Sequence, residues 1–281
     1  METRVSSASK EVIIGDERPT VLIGERINPT GKKKLTAALQ VGDLTTVQEE
    51  ASSQVNAGAD ILDVNVGVPG LDEVALLPQV VQAVMDMVDV PLCLDSTNAR
   101  ALEAALKTYK GKPLINSVNG EERSLERILP LVKEYGAAVI GLTMDDNGIP
   151  ATSDERLAIA HKIVERAVAA GIPREDVVID CLAMTVGADP RAGMITIQAI
   201  HKVKAELGVN ITLGASNISF GMPDRDLLNS AFLATAIAAG LTCPVVDVAK
   251  VRPAVLAADL ALGRGQSAIR YIRAYRQRQK A

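Results

Sequence analysis

Eight short apolar runs, separated by helix-like stretches, set what this chain can fold into. The runs are VLIGERIN (21–28), ADILDVNV (59–66), PLCLDST (91–97), PLINSV (113–118), AAVIGLTM (137–144), VVIDCLA (177–183), ITLGASN (211–217) and PVVDVA (244–249). Each is nearly continuous in apolar residues, the pattern of a parallel strand covered on both faces. Helical patterns lie between them. TTVQEEASSQVNAG ends at Gly58, a candidate C′ glycine, and Thr97 and Asn98 are candidate N-caps for ARALEAALKTY. SDERLAIAHKIVERAVAAG opens on Ser153 as candidate cap and closes at Gly171; DRDLLNSAFLATAIAAG closes at Gly240. A strand followed by a helix, eight times over, predicts an α/β fold of the (β/α)₈ barrel type. A doubly wound open sheet is the alternative. It needs a glycine-rich first βα turn, and IGERINPTGKK has no GxGxxG. Residues 1–20 read as an N-terminal extension in which IIG pairs with VLIG as a small hairpin closing the barrel bottom. Residues 21–281 read as one barrel domain.

Bulk properties exclude several functional classes. The chain has 281 residues, 48% hydrophobic and 23% charged, enough for one large soluble core. Its net charge of −4 and aromatic content of 2% provide neither the field nor the stacking platforms of a nucleic-acid binder. No apolar run reaches the roughly 18–20 residues of a membrane span, and METRVSSASKEV has no apolar signal core. The cytoplasm is therefore the expected location. The three cysteines (Cys93, Cys181, Cys243) form no CxxC pair and read as small buried thiols. The two histidines, His161 and His201, lie in helical stretches far from any cysteine, so no metal is expected on this chain.

Polar residues gather at the C-terminal ends of the runs, the edge where β/α barrels collect ligand and catalytic groups. Asp95, Asn116, Asp180 and Asn217 each sit there. So do Glu25, Arg26 and Asn28 in the first run, and Asp63 and Asn65 in the second. Glu25 and Arg26 are adjacent and point to opposite faces if extended; Asp63 and Asn65 share one face. A buried carboxylate needs donors, and no Lys or Arg adjoins Asp95 or Asp180 in sequence. Paired N–H groups of a 2-amino-4-oxo pyrimidine ring would satisfy such a carboxylate. The amides of Asn116 and Asn217 do not titrate, and can bond a ring nitrogen in either protonation state. Capping and turn roles are the alternative for each of these residues taken singly.

Six segments carry a resemblance: GERIN (24–28), LDVNVG (62–67), CLDSTN (93–98), INSVNGE (115–121), IGLTMDDNGIP (140–150) and GASNISFGMPDR (214–225). Together they resemble the pterin-binding methyltransferases, relatives of dihydropteroate synthase and of the folate module of cobalamin-dependent methionine synthase. The likeness is strongest to stand-alone methyltetrahydrofolate:corrinoid-protein methyltransferases. It spans roughly residues 21–250, in order and at similar spacing. The resemblance implies a dihydropteroate-synthase-like barrel in which Asp95, Asn116 and Asp180 hold the pterin and Asn217 approaches N5. It places Gly214, Ser219 and Arg225 in the seventh βα loop, holding folate or shaping the cleft. Glu25, Asn28, Asp63 and Asn65 fall in its pterin-facing motifs. Phe220 stands where some relatives that serve a corrinoid iron–sulfur protein carry Gln, so this loop is more similar to the methionine-synthase version.

The implied reaction moves methyl between N5 of tetrahydrofolate and the cobalt of a corrinoid (cobalamin). The chain has no DxHxxG motif, so the corrinoid is expected on a separate partner protein. A homodimer is implied by the resemblance alone. A tertiary amine is a poor leaving group, so N5 needs positive charge or a proton, and no Cys–His pair offers a nucleophile. Two rivals stand beside this reading: dihydropteroate synthase, and a non-catalytic folate-binding subunit. Two basic clusters remain. Lys32, Lys33 and Lys34 follow the first run and would meet a folate tail, an acidic partner or solvent; the C-terminal RYIRAYRQRQK reads as helix-end and solubility charge.

Overall fold

The computed structural model describes residues 1–265 and 267–279. Lys280, the last residue of the basic C-terminal run, lies outside the described residues. Two N-terminal strands, β1 (Glu2–Ser6) and β2 (Glu11–Gly15), precede the barrel strands β3 (Ile23–Ile27), β4 (Ile61–Asn65), β5 (Leu92–Asp95), β6 (Leu114–Asn119), β7 (Ala138–Leu142), β8 (Val177–Asp180), β9 (Asn210–Gly214) and β10 (Cys243–Val246). Strands β3 to β10 are parallel and close into a barrel in chain order, β10 pairing with β3. The expected (β/α)₈ barrel is the fold observed.

Alternation along each strand separates two cores. Leu62, Val64, Leu92, Leu94, Ile115, Val139, Ile179 and Ile211 pack outward against the helices. Ile23, Ile61, Cys93, Leu114, Ala138, Val178 and Cys243 fill the interior. Both faces are thus apolar over most of each strand, as the continuous runs require.

The surrounding helices are α1 (Lys33–Gln40), α2 (Thr45–Ala57), α3 (Glu73–Met87), α4 (Ala99–Thr108), α5 (Glu122–Glu134), α6 (Ser153–Ala169), α7 (Ala192–Leu207), α8 (Arg225–Ala239), α9 (Val248–Ala261) and α10 (Ser267–Arg278). Their ends follow local chemistry. Gly58 stops α2 in a left-handed conformation, φ 103°. Asn98 caps α4 by accepting from the Arg100 N–H. The cap of α6 is Thr152 rather than Ser153: Thr152 and Glu155 form a reciprocal capping box, and only Thr152 has a Glu three residues on. Lys33 and Lys34 open α1. None of the described helices is long and apolar enough to cross a membrane.

The N-terminal hairpin differs from expectation. IIG pairs with the METRVS segment, Ile14 opposite Thr3 and Ile13 opposite Arg4, whereas VLIG enters the barrel as β3. Alternation in TRV puts Thr3 and Val5 on the buried face. Val5, Val12 and Ile14 enter the interior core. The buried Asn210 amide, at the start of β9, donates to Thr3 Oγ1 (2.9 Å) and the Ile14 carbonyl (3.0 Å), and Thr3 donates to the Glu175 carbonyl beside β8. The hairpin therefore seals the end where the strands begin. The opposite end stays open.

Candidate active site

The polar cup at the open end is a product of the two-residue strand period. Ile61 faces the interior, so Asp63 and Asn65 follow it inward along β4, while Leu62 and Val64 face the helices. The same parity leads from Ile23 to Glu25, from Cys93 to Asp95, from Leu114 to Asn116 and from Val178 to Asp180. Strand register sets Asn65 beside Asp95, and Asp95 beside Asn116.

Hydrogen bonds join these side chains across the barrel. Asn65 Nδ2 donates to Asp95 Oδ2 at 2.9 Å. Asn116 Nδ2 donates to Asp63 Oδ1 at 3.1 Å. Asp63 is buried. Burial and the neighbouring Asp95 charge push its carboxyl well above the usual range, so its protonated form is favoured. Burial pushes Asp95 up to about 6, opposed by the Asn65 hydrogen bond and reinforced by Glu73. Glu73 accepts from Ser96 Oγ at 2.6 Å, which ties the start of α3 to the end of β5.

Asp180 lies across the cup, and burial pushes it up to about 6 against the Leu182 and Gly214 N–H groups and the Arg156 charge. The Leu182 N–H reaches Asp180 Oδ1 at 2.7 Å. Leu182 has φ 57°, a strained conformation for a bulky residue. Arg156 braces it. This guanidinium, on a residue only 2% exposed, donates through Nη1 to the Cys181 carbonyl (2.9 Å) and the Leu182 carbonyl (2.7 Å), and through Nε to the Pro150 carbonyl (3.1 Å). The sequence reading missed Arg156. In RLAIAHKI it has the spacing of any helix-surface cation, and no local signal tells that it turns inward.

Asn217 stands apart from the cup. It lies beyond the end of β9, in the 3-10 turn Ala215–Ser219, and it is exposed. Among the described residues its side-chain amide makes no internal hydrogen bond, and it lies over Gly214, where a Cβ would come within 3.2 Å of Nδ2. The turn is braced on all sides. Ser216 Oγ donates to Glu25 Oε1 at 3.0 Å. Arg225 donates to Ser219 Oγ (3.0 Å) and the Ser216 carbonyl (2.9 Å), and its guanidinium lies 5.7 Å from the Phe220 ring centre. Thr185 Oγ1 donates to the Phe220 carbonyl at 2.6 Å.

The structure thus brings Glu25, Asp63, Asn65, Asp95, Asn116, Asp180 and Gly214 to one mouth. Ser219 is buried and serves as a partner of Arg225. Asn28 Oδ1 accepts the Thr30 N–H at 3.0 Å, closing its own turn. Cys93, Cys181 and Cys243 are buried, and burial raises each thiol, Cys243 to about 12; none is poised as a thiolate nucleophile. Among the described residues no three His, Cys, Asp or Glu side chains cluster as metal ligands. The cup's chemistry is that of carboxylate acceptors and carboxamides surrounding an opening. It suits a flat ring rich in N–H donors.

Several known proteins are similar to this chain in sequence or in fold. The sequence is similar to methionine synthase of Mycobacterium tuberculosis, 33% identical over 265 residues that make up 90% of this chain and 22% of that protein. The chain therefore spans about a fifth of the methionine synthases it matches. It is 29% identical over 267 residues to the methylcorrinoid:tetrahydrofolate methyltransferase of Eubacterium limosum, covering 92% of this chain and 96% of that one. Similar folds include dihydropteroate synthase of Yersinia pestis with a pterine–sulfa conjugate (TM-score 0.73, 18% identity, 94% of this chain, 100% of that chain). The Thermus thermophilus dihydropteroate synthase is another (TM-score 0.65, 23% identity, 90% of this chain, 97% of that chain). Residues 24–247 match the pterin binding enzyme family, and the chain belongs to that family.

Proposed function

We propose that this chain is a methyltransferase that moves a methyl group between N5 of a tetrahydrofolate and the cobalt of a corrinoid carried on a separate protein. The observation that carries the reading is the division of the mouth. A buried cup of carboxylates lies beside one exposed, internally unbonded amide, Asn217, held on a rigid turn. The likeness to the Eubacterium limosum enzyme over nearly its whole length supports the same assignment.

Each group then has a task. Asp180 and Asp95, ionised above about pH 6, accept N–H bonds from the pterin's amidine-like edge. Asn116, fixed by Asp63, keeps its carbonyl oxygen for the ring. The corrinoid supplies the strong nucleophile when it docks, and the open mouth admits it. Asn217 bonds N5 more strongly as charge develops there, which stabilises the transition state rather than the ground state. Holding the methyl in line contributes the other large share.

Dihydropteroate synthase chemistry is disfavoured. From Gly214 to Asp224 the chain has no Lys or Arg, and Arg225 is engaged with Ser219, Ser216 and Phe220. Pyrophosphate would lack a free cation there.

The test is anaerobic absorbance spectroscopy with a cob(I) corrinoid protein and 5-methyltetrahydrofolate. Conversion to the methylcob(III) spectrum is expected. An unchanged spectrum, with folate shown to bind, would leave a folate-binding subunit. Condensation of p-aminobenzoate with dihydropterin pyrophosphate would establish the synthase instead.

A further inference from the structure

Arg156 is buried where a cation is disfavoured on two counts. It sits in the first turn of α6, where the helix dipole opposes positive charge, and it is only 2% exposed. A buried charge is costly unless it is paired. Yet among the described residues its hydrogen-bond partners are all uncharged: the Pro150, Cys181 and Leu182 carbonyls and, at 3.4 Å, the Thr196 hydroxyl. So unfavourable a placement needs a reason, and Leu182 supplies one. Its backbone stands at φ 57°, and a conformation of that kind persists only where its surroundings enforce it. Two donors do so at one carbonyl: Arg156 Nη1 reaches the Leu182 oxygen at 2.7 Å and Thr196 Oγ1 at 3.1 Å.

We propose that Arg156 is a positioning residue for the pterin: it locks the Leu182 turn, and the turn aims the Asp180 carboxylate into the cup. The inference rests on the assignment of Asp180 to the pterin. The main chain of Asp180 is already fixed, because its carbonyl accepts from the Thr143 N–H and Oγ1, both at 3.0 Å. Only the side chain is left to be oriented. With Leu182 held left-handed, its N–H turns back onto Asp180 Oδ1 at 2.7 Å, the bond an Asp side chain makes with the backbone two positions on. If Leu182 relaxed to negative φ, the peptide before it or the chain after it would rotate. Either the N–H or the carbonyl would then leave its partner. Burial raises the Asp180 carboxyl, and the Leu182 and Gly214 N–H groups and the Arg156 charge oppose that rise. The clamp thus also favours the ionised form, which accepts N–H donors.

The same guanidinium joins two loops of the mouth. Nε holds the Pro150 carbonyl in the β7–α6 connection, and Nη1 holds the start of the β8–α7 connection. Farther along that second connection, Thr185 Oγ1 donates to the Phe220 carbonyl (2.6 Å) and the Val186 N–H to the Ile218 carbonyl (3.0 Å). The Asn217 turn has other braces, from Ser216 to Glu25 and from Arg225 to Ser219. Loss of the clamp should therefore weaken pterin binding first and affect transfer from bound folate less.

Calorimetric titration with 5-methyltetrahydrofolate, and methyl transfer to free cob(I)alamin at saturating folate, test the role. Arg156→Gln is expected to raise the folate dissociation constant roughly tenfold, the loss of one well-aligned bond to a charged group, with a much smaller change in the saturated rate. Arg156→Lys keeps the charge but not the fork and should fall between. The decisive variant combines Arg156→Gln with Leu182→Gly. Glycine adopts φ 57° without steric strain, so the double variant should bind folate several-fold more tightly than Arg156→Gln alone. A guanidinium that served only to stabilise the fold would give no such recovery. Wild-type folate affinity in a folded Arg156→Gln protein, or no recovery in the double variant, overturns the proposal. If Arg156→Gln does not fold, Thr196→Val removes the other donor to the Leu182 carbonyl and should raise the dissociation constant about threefold; an unchanged constant there overturns it instead. Failure of the Asp180 assignment looks different, because Asp180→Asn would then bind folate as tightly as wild type.

Discussion

Folate affinity should collapse between pH 7.5 and pH 5, and the structure sets the size of the effect. Asp95 and Asp180 each titrate near pH 6 in the ligand-free cup because burial disfavours the charged form. A pterin presenting N–H donors binds the ionised form. At pH 7.5 nearly all molecules have both carboxylates ionised; at pH 5 each carboxylate is ionised in only roughly one molecule in ten. The dissociation constant should therefore rise about tenfold per carboxylate, or roughly 10²-fold for the pair. Near pH 6, binding should release about one proton in total, roughly half from each carboxyl. Calorimetric titration of 5-methyltetrahydrofolate in buffers of differing ionisation enthalpy reads both quantities and allows subtraction of the ligand's own titration. Asp180→Asn should remove its share of the pH dependence and most of the affinity. Proton uptake on binding, or a dissociation constant flat from pH 7.5 to 5, would refute the assignment of these carboxylates to the pterin.

Three further outcomes follow from the same geometry. The raised carboxyls act oppositely on the empty fold: with folded values near 6 and an unfolded value near 3.8, their stabilising contribution is complete below the unfolded value and is lost as pH rises through about 6. Ligand-free protein should lose roughly 1 kcal/mol per carboxyl between pH 5 and 7.5, visible in urea titrations and reversed by folate. Gly214→Ala places a Cβ about 3.2 Å from Asn217 Nδ2, so turnover should fall several-fold while the melting temperature holds; undiminished turnover would show that this amide's position is unimportant. Asn210→Leu leaves the Ile14 carbonyl and Thr3 hydroxyl without their shared donor, which should cost about 1–3 kcal/mol of stability with little effect on folate affinity.

The barrel and most of the cup were legible because strands carry a two-residue period. Once VVID and LCLD are read as buried strands, Asp180 and Asp95 must lie at their ends, and parity fixes which way they point. Pairings across the barrel left no such trace. Nothing within LDVNV or LINSV says that Asn116 bonds Asp63 or that Asn65 bonds Asp95. The hairpin was misassigned because IIG and VLIG are both strand-like and adjacent, whereas its true partner, METRVS, looks polar. Only Thr3 and Val5 of that segment turn inward. Asn217 was placed on a strand end, yet the chain turns at Gly214 and carries it on a short helical turn. By contrast, the Thr152 cap has a local signature, the T-x-x-E of its capping box with Glu155, which the neighbouring Ser153 lacks.

The central claim is that the cup binds and Asn217 acts. Stopped-flow methyl transfer from saturating 5-methyltetrahydrofolate to a cob(I) corrinoid protein tests it most directly, comparing wild type with Asn217→Ala. The account predicts a rate lower by roughly 10²-fold or more, with a much smaller change in the folate dissociation constant. An Asn217→Ala protein that transfers methyl at the wild-type rate would contradict it.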